Sequence, residues 1–304
     1  MGAVPLLRLI GFMLFSFSTL ASGHVEESQP LQSHTWHWSF EPWVIFFLLL
    51  SIAWYVIGIV RLWQKVGNSR QALLHQAVFF LSGWLALVVA LVSPLDPLGV
   101  QLFSAHMVQH ELMMIVAAPL LVMSRPFGIW MWALPESWRS RVTDVVRWRG
   151  IALPWNILTN ALIAWILHAL ALWVWHVPAF FNTALTDNTV HTWQHFSFLV
   201  SALLFWWTVF RDGLTRTGCG TAILYLFTTM LHTSALGALL TFSATPWYSG
   251  YLGSNTALGW EPLVDQQLGG LIMWVPGGLV YIGAALALGA RWLQADSQTR
   301  ELLH

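Results

Sequence analysis

The sequence predicts an all-α protein, built as a bundle of seven helices that cross a membrane. Apolar residues make up 57% of the 304 residues and charged residues only 9%. Soluble proteins carry roughly 25% charged residues, so this composition places the chain in lipid. A further observation supports the bundle: loops that contain basic residues alternate with loops that contain none.

Net charge and cysteine content narrow the classes of function. The formal net charge is zero, so the composition gives no support for nucleic acid as a partner. Cys219 is the single cysteine, which excludes an internal disulfide framework and a cysteine-rich copper motif. Any soft-metal ligand in this chain would therefore be a methionine or a histidine.

The N-terminal 23 residues have the pattern of a secretory signal. Arg8 precedes an apolar run over 9–20, and small residues follow at 21–23. We expect segment 1–23 to be cleaved, and an uncleaved first membrane helix is the alternative. Residues 24–42 then form a polar tail outside the membrane, whose three histidines are expected to be solvated: His24, His34 and His37.

Seven apolar segments follow, each close to the roughly 20 residues that a helix needs to cross a bilayer. They cover residues 43–63, 72–92, 101–123, 155–175, 192–210, 221–242 and 267–290. Together they define a transmembrane domain over 43–291, which a tail over 292–304 follows. The connecting loops are short, so we expect no separate soluble domain.

Basic residues set the predicted orientation. Apart from Arg8, the Lys and Arg residues all fall in alternate loops: Arg61, Lys65, Arg70, Arg125, Arg139, Arg141, Arg147, Arg149, Arg211, Arg216, Arg291 and Arg300. By the positive-inside rule these loops are cytoplasmic. The prediction is a multi-pass protein of the bacterial plasma membrane, with its N-terminus outside and its C-terminus inside.

Histidines cluster in the predicted outer half of the bundle. The pairs His106/His110 and His191/His195 have i, i+4 spacing, which puts both rings of a pair on one helix face, about 6 Å apart at Cβ. With a rise of about 1.5 Å per residue, His232 reaches an overlapping depth. Because an unpaired imidazole is costly in hydrocarbon, we predict that these five histidines share a metal site that faces the periplasm.

Other residues near this level are candidate ligands or outer partners of ligands: His176, Met107, Met273, Glu111, Asp96 and Asp265. A buried carboxylate commonly accepts the far N–H of a ligand histidine. Asp96 and Asp265 fit helix caps equally well, and Glu111 must be protonated or paired because a charge in lipid is costly. His75 and His168 are expected to be packing residues.

Six short motifs lie in or beside the predicted spans: SPLD at 93–96, SAHMVQH at 104–110, WHVP at 175–178, HTWQH at 191–195, LHTSALG at 231–237 and DQQLGGLIMWVP at 265–276. Together they resemble the CtaG family of caa3-type cytochrome c oxidase assembly factors, over residues 43–291. The resemblance implies an inner-membrane protein that helps to make active oxidase by supplying copper from the outer side. Single-span copper chaperones that share the CtaG name carry a cysteine motif, which this chain lacks.

The same resemblance implies partners and a cargo. Cytochrome c oxidase subunits and membrane lipid are expected partners, and a periplasmic copper carrier is a further candidate. Copper is the expected metal and no catalytic residue is expected, but imidazole ligands also suit zinc and iron, and haem stays open as well.

Two other classes of function remain open. Histidine pairs on neighbouring helices also hold haem or two irons in membrane redox enzymes and oxygenases, although desaturases gather their histidines on the cytoplasmic side. A metal transporter would need polar residues that continue inward past His110 and His232. The sequence there is nearly all apolar, which favours a pocket closed to the cytoplasm.

Overall fold

The computed structural model describes residues 37–301 apart from 68–69, 214, 216–217, 254–255 and 257, and beyond 294 it describes the backbone alone. The predicted signal segment 1–23 and the tail residues before 37, including His24 and His34, lie outside the described residues. His37 is described and is exposed.

The regular elements of the described chain are helical. In chain order they are α1 (Pro42–Trp63), α2 (Arg70–Leu91), α3 (Leu95–Gln101), α4 (Phe103–Glu111), a π-helical segment (Leu112–Ala117), α5 (Ala118–Met123), α6 (Pro126–Ala133), α7 (Glu136–Arg147), α8 (Arg149–Leu158), α9 (Ala161–Trp175), α10 (Pro178–Thr186), α11 (Asn188–Gly213), α12 (Cys219–Thr241), a 3-10 turn (Ser249–Tyr251) and α13 (Pro262–Glu301).

Five helical stretches in the described residues are long and apolar enough to cross a membrane: α1, α2, Phe103–Met123, α12 and Pro262–Gln294 of α13. The pair α8 and α9 is a sixth candidate if its two helices form one span. Large apolar side chains such as Leu231 and Leu286 are exposed on these helices, as surface that faces lipid requires. The chain is therefore an all-helical membrane protein with five or six candidate spans.

The segment predicted as one span over 155–175 is broken in the structure. Helices α8 and α9 meet at an angle of 67°. Asn160 begins α9, and its Oδ1 accepts hydrogen bonds from the backbone N–H groups of Leu162 at 3.1 Å and Ile163 at 3.4 Å. Such a side-chain cap starts a new helix instead of continuing the old one, and the apolar pattern gives no sign of it.

Helix α11 buries several polar side chains among apolar ones. It contains the predicted fifth span, 192–210, but it is not among the candidate spans by length and composition. Its buried side chains include Gln194, His195 and Ser201. It packs against α5, α9, α10, α12 and the π-helical segment, so protein covers polar groups that lipid would exclude.

The helix that carries His106 begins at a break. Extended backbone at Leu102 (φ −126°, ψ 127°) separates α3 from α4. The Asp265 carboxylate on α13 then caps α4: it accepts the backbone N–H groups of Phe103 at 2.6 Å and Ser104 at 3.1 Å, and the Ser104 hydroxyl. A helix cap contributes about 1–2 kcal/mol. This cap fixes α4 one turn before His106.

Directly after Glu111 the same helix widens into the π-helical segment Leu112–Ala117. The indole N–H of Trp206 on α11 donates to the Met114 carbonyl oxygen at 2.9 Å. This bond supplies a partner in a segment where the regular i→i−4 pattern is interrupted. The bond joins the π-helical segment, which continues α4, to α11.

Helices α12 and α13 make the most extensive contact in the described chain. Glycines allow their backbones to approach closely: a Cβ on Gly270 would lie 2.7 Å from the carbonyl oxygen of Gly237. Small residues play this role widely in membrane helix pairs. The contact anchors the first half of α13, and with it the Asp265 carboxylate that caps α4.

Candidate metal centre

The two histidine pairs face each other across α4 and α11. Within the pairs, ring centroids lie 4.2 Å apart for His106 and His110, and 4.1 Å apart for His191 and His195. Between the helices, His106 lies 5.4 Å from His191 and 5.9 Å from His195, and His110 lies 5.3 Å from His195. The i, i+4 spacing places each pair on one face, so the four rings meet. We refer to these four residues as the histidine cluster.

Three members of the histidine cluster are placed to share one ion. One ligand nitrogen each from His106, His191 and His195 lies within 4.8 Å of the other two. Metal–imidazole bonds are about 2.0–2.1 Å long, so two nitrogens bound to one ion are at most about 4 Å apart. The three nitrogens, all within 4.8 Å of one another, lie close to that limit.

Three members of the cluster are buried and His191 is half-buried, and the Nε2 atoms of all four have no hydrogen-bond partner. His106 is 0% exposed, His110 1% and His195 7%. The Nε2 atoms of these three and of His191 are all unpartnered, as is Nδ1 of His110. Buried polar atoms in native proteins nearly always have a partner. The cluster thus presents several donor atoms that a bound metal ion would satisfy.

A backbone carbonyl orients the ring of His106. Its Nδ1 lies 3.3 Å from the carbonyl oxygen of Gly99, which also accepts the hydroxyl of Tyr251 at 2.8 Å. A carbonyl oxygen only accepts, so Nδ1 carries the proton and Nε2 keeps its lone pair for a metal. The sequence predicts a carboxylate as the acceptor of the far N–H of a ligand histidine, but for His106 the acceptor is a backbone carbonyl.

His176 lies beside the cluster and is separated from it by aromatic rings. Its Nδ1 donates to the Leu172 carbonyl oxygen at 2.7 Å. Its ring centroid is 6.1 Å from Phe181 and 6.3 Å from Phe198, which themselves pack on His106 and His110. His176 therefore belongs to the wall of the site.

The structure does not bring His232 into the histidine cluster. Its ring packs against Trp165 of α9, with centroids 5.9 Å apart. Counting residues along α12 gives a depth in the membrane but not the direction in which the side chain points, and here it points toward α9. His168, also on α9, makes the hydrogen bond expected of a packing residue, with Nδ1 3.1 Å from the Ser201 hydroxyl.

The predicted acidic ligands lie outside the three-histidine group. Asp265 caps α4, a helix other than its own. Asp96 accepts a hydrogen bond from the Gln109 amide at 2.7 Å. Glu111 faces α13, where a Cβ on Gly277 would lie 3.2 Å from the Glu111 Oε2.

The predicted methionine ligands pack in the apolar core. A Cβ on Gly269 of α13 would lie 3.2 Å from Cγ of Met107, and Met273 is 3% exposed within the same core. Among the His, Cys, Asp and Glu side chains of the described residues, the ligand atoms brought together are the imidazole nitrogens of His106, His191 and His195.

Two glutamines beside the cluster are not among the residues predicted from the sequence. Gln109 is fully buried and donates to the Ala90 carbonyl oxygen at 2.8 Å as well as to Asp96. Gln194 is fully buried beside His106. Each precedes the second histidine of its pair, so both helices carry the pattern H-x-x-Q-H. This repeated pattern is the feature of the sequence that indicates both glutamines.

Proteins from three mycobacteria are similar to this chain over most of its length. Uncharacterized proteins of Mycobacterium bovis and Mycobacterium tuberculosis are each 27% identical over 248 residues, and one of Mycobacterium leprae is 26% identical over 250 residues. In each case the match covers 80% of this chain and 37% of the relative. The chain thus spans little more than a third of the length of these relatives. No solved structure matches it.

A family model supports the resemblance seen in the motifs. It is described as cytochrome c oxidase caa3 assembly factor, and it matches residues 53–295. The match includes α4 and α11, which carry the histidine cluster, and the part of α13 that carries Asp265. The chain belongs to the Caa3_CtaG family of cytochrome c oxidase assembly factors.

Proposed function

We propose that the histidine cluster binds a copper ion and that the protein supplies this copper to cytochrome c oxidase. The observation that carries the proposal is the group of ligand nitrogens from His106, His191 and His195, within 4.8 Å of one another. His110 contacts both His106 and His195 and offers a fourth imidazole. The family's association with caa3 oxidase assembly identifies the oxidase as the protein that would receive the copper.

Charge favours monovalent copper as the cargo. Neutral imidazoles leave the full charge of the ion inside the bundle, and the three-histidine group includes no carboxylate. The cost of burying an ion rises with the square of its charge, so a monovalent ion is much less costly here than a divalent one. Copper also ranks high in affinity for imidazole nitrogen.

The space around the cluster supports a bare ion over haem. The four rings contact one another directly, and the cavity beside them has a volume of about 100 Å³. Sites for organic cofactors typically measure about 300–1,000 Å³. We therefore propose a copper-handling role without catalysis, with oxidase subunits and a periplasmic copper carrier as partners.

We also propose seven membrane crossings, with the α8–α9 pair and α11 added to the five long apolar stretches. The basic loops are then cytoplasmic, and the histidine cluster faces the periplasm of a bacterial plasma membrane. In this arrangement segment 1–23 is the signal, 24–42 the periplasmic tail, 43–291 the transmembrane domain and 292–304 the cytoplasmic tail.

Reporter fusions test this topology. We expect reporters fused after Arg149 and Arg216 to read cytoplasmic, and reporters near Asp187 and Ser254 to read periplasmic, because basic loops are retained inside. A periplasmic reading at Arg149 would contradict the orientation and the outward position of the cluster.

Elemental analysis of the purified protein tests the function. We expect about one copper per chain and no Soret band in the visible spectrum, because the described ligand group fits one ion. Haem absorption, or two irons per chain, would favour a redox enzyme over an assembly factor. Zinc in place of copper, in cells supplied with both, would contradict the copper assignment.

A further inference from the structure

A small cavity opens beside the histidine cluster, where α1, α2, α3 and α11 meet. It has a volume of about 100 Å³. Its lining includes Glu41, Trp43, Asp96, Met113, His191 and His195. Two carboxylates and two cluster histidines thus line one space.

Glu41 is held in place at the mouth of this cavity. It precedes α1, and its Oε1 accepts the side-chain amide of Asn188, the first residue of α11, at 2.8 Å. Its Oε2 accepts the indole N–H of Trp43, also at 2.8 Å. These neutral donors orient the carboxylate without neutralising its charge, since no cation takes part in either bond.

Asp96 is held on the other side in a similar way. Its Oδ1 accepts the amide of Gln109 at 2.7 Å, and Gln109 belongs to the α4 repeat that carries His106 and His110. Asp96 and Glu41 line the same cavity as His191. A cation in the cavity would therefore lie near two oriented carboxylates as well as the imidazoles.

Two histidines of the cluster present ring nitrogens without hydrogen-bond partners at this cavity. His195 lines the cavity, is 7% exposed, and its Nε2 has no hydrogen-bond partner. The Nε2 of His191 is likewise buried and unpartnered. The cavity therefore brings two carboxylates together with two imidazole nitrogens that could replace part of the hydration shell of a cation.

We propose that this cavity is the route by which a cation reaches the histidine cluster, and that Glu41 and Asp96 draw the cation in. The inference rests on the proposed function, because it requires that the cluster bind a cation. It adds a selective step: a pair of fixed carboxylates accelerates the approach of cations and repels anions. The two residues act before ligation and are not ligands of the bound ion.

Loading kinetics of the detergent-purified, metal-free protein test this route. Cu⁺ supplied in buffer with acetonitrile would be mixed rapidly with protein, quenched with a chelator, and measured as bound copper per chain over time. We expect Glu41→Gln and Asp96→Asn each to slow loading about threefold at low salt, and the double variant about tenfold, because each removes one unit charge near the path. At about 1 M salt the differences should vanish.

The variants and the control separate steering from ligation. Gln and Asn keep an acceptor oxygen for Asn188 and Gln109, so these two hydrogen bonds can persist, whereas the amide nitrogen introduced by Glu41→Gln cannot accept the Trp43 N–H. Glu261→Gln removes an exposed carboxylate that does not line the cavity, and it should load at the wild-type rate. Final copper per chain should be the same in all four variants.

Two outcomes would overturn the route while the proposed function stands: loading at the wild-type rate in the double variant at low salt, or a lower final copper content, which would make the carboxylates ligands. Failure of the wild-type protein to bind any copper would instead overturn the proposed function, and the route with it.

Discussion

Replacing His106 and His195 together with alanine is expected to remove bound metal from the purified protein while the protein still folds in the membrane. The double variant takes away two of the three grouped ligand nitrogens, one from each helix. Even the outer partners of ligand histidines contribute about 10–100-fold to metal affinity. The loss of two ligands should exceed that, so elemental analysis should find far less than one metal per chain.

Folding should survive because the two deleted rings make few hydrogen bonds. The Nε2 atoms of both rings make no hydrogen bond, and the Gly99 carbonyl oxygen keeps the Tyr251 hydroxyl after His106 is removed. Membrane yield of the metal-free protein should therefore change little, while the lost packing of two buried rings should lower its thermal unfolding temperature. An unchanged metal content in the double variant would contradict the site.

Two single variants sharpen the comparison. His75→Ala is the control, because His75 is exposed near the start of α2, in contrast to the packing role predicted from the sequence, and makes no ring contact with the described residues of the cluster. His232→Ala tests whether His232 is a ligand. Its depth in the sequence predicts a loss of metal, whereas the ring geometry predicts none, because His232 packs on Trp165.

The sequence predicted the membrane helices well wherever apolar length alone decides them. Helices α1, α2 and α12 begin and end within two residues of the predicted segments. The breaks at Leu102, after Glu111 and at Asn160 escaped prediction for a common reason. Each depends on hydrogen bonds to a side chain or to another helix, and hydropathy averages over such local features.

The candidate site was predictable to the extent that helical spacing decides it. The i, i+4 pairs had to lie on single helix faces, and the structure joins those faces. Sequence spacing does not show which helix faces meet. It therefore groups His232 with the two pairs and gives no indication that Glu41 lies near the site. Glu41 reaches the site through Asn188, across 147 residues of chain, and no local pattern reports such a contact.

Cells that lack this protein are expected to contain oxidase polypeptides with little oxidase activity when copper is scarce. If the histidine cluster supplies the copper, a His106→Ala/His110→Ala variant present at normal level should show the same deficit, because it removes the α4 half of the cluster. Added copper should partly restore activity in both strains, by mass action on slower routes of metal insertion. Oxidase activity and oxidase protein level in isolated membranes measure the effect.

Glu111→Gln is the matched variant for this experiment, since Glu111 follows His110 directly and lies on the same helix. Its carboxylate faces Gly277 of α13 and is outside the three-histidine group, so the amide should preserve most oxidase activity. Normal activity in the deletion strain under copper scarcity would remove copper supply as the function of the cluster. A deficit that copper cannot relieve at any concentration would instead assign the protein a structural part in oxidase assembly, because a scaffold cannot be replaced by raising the concentration of its cargo.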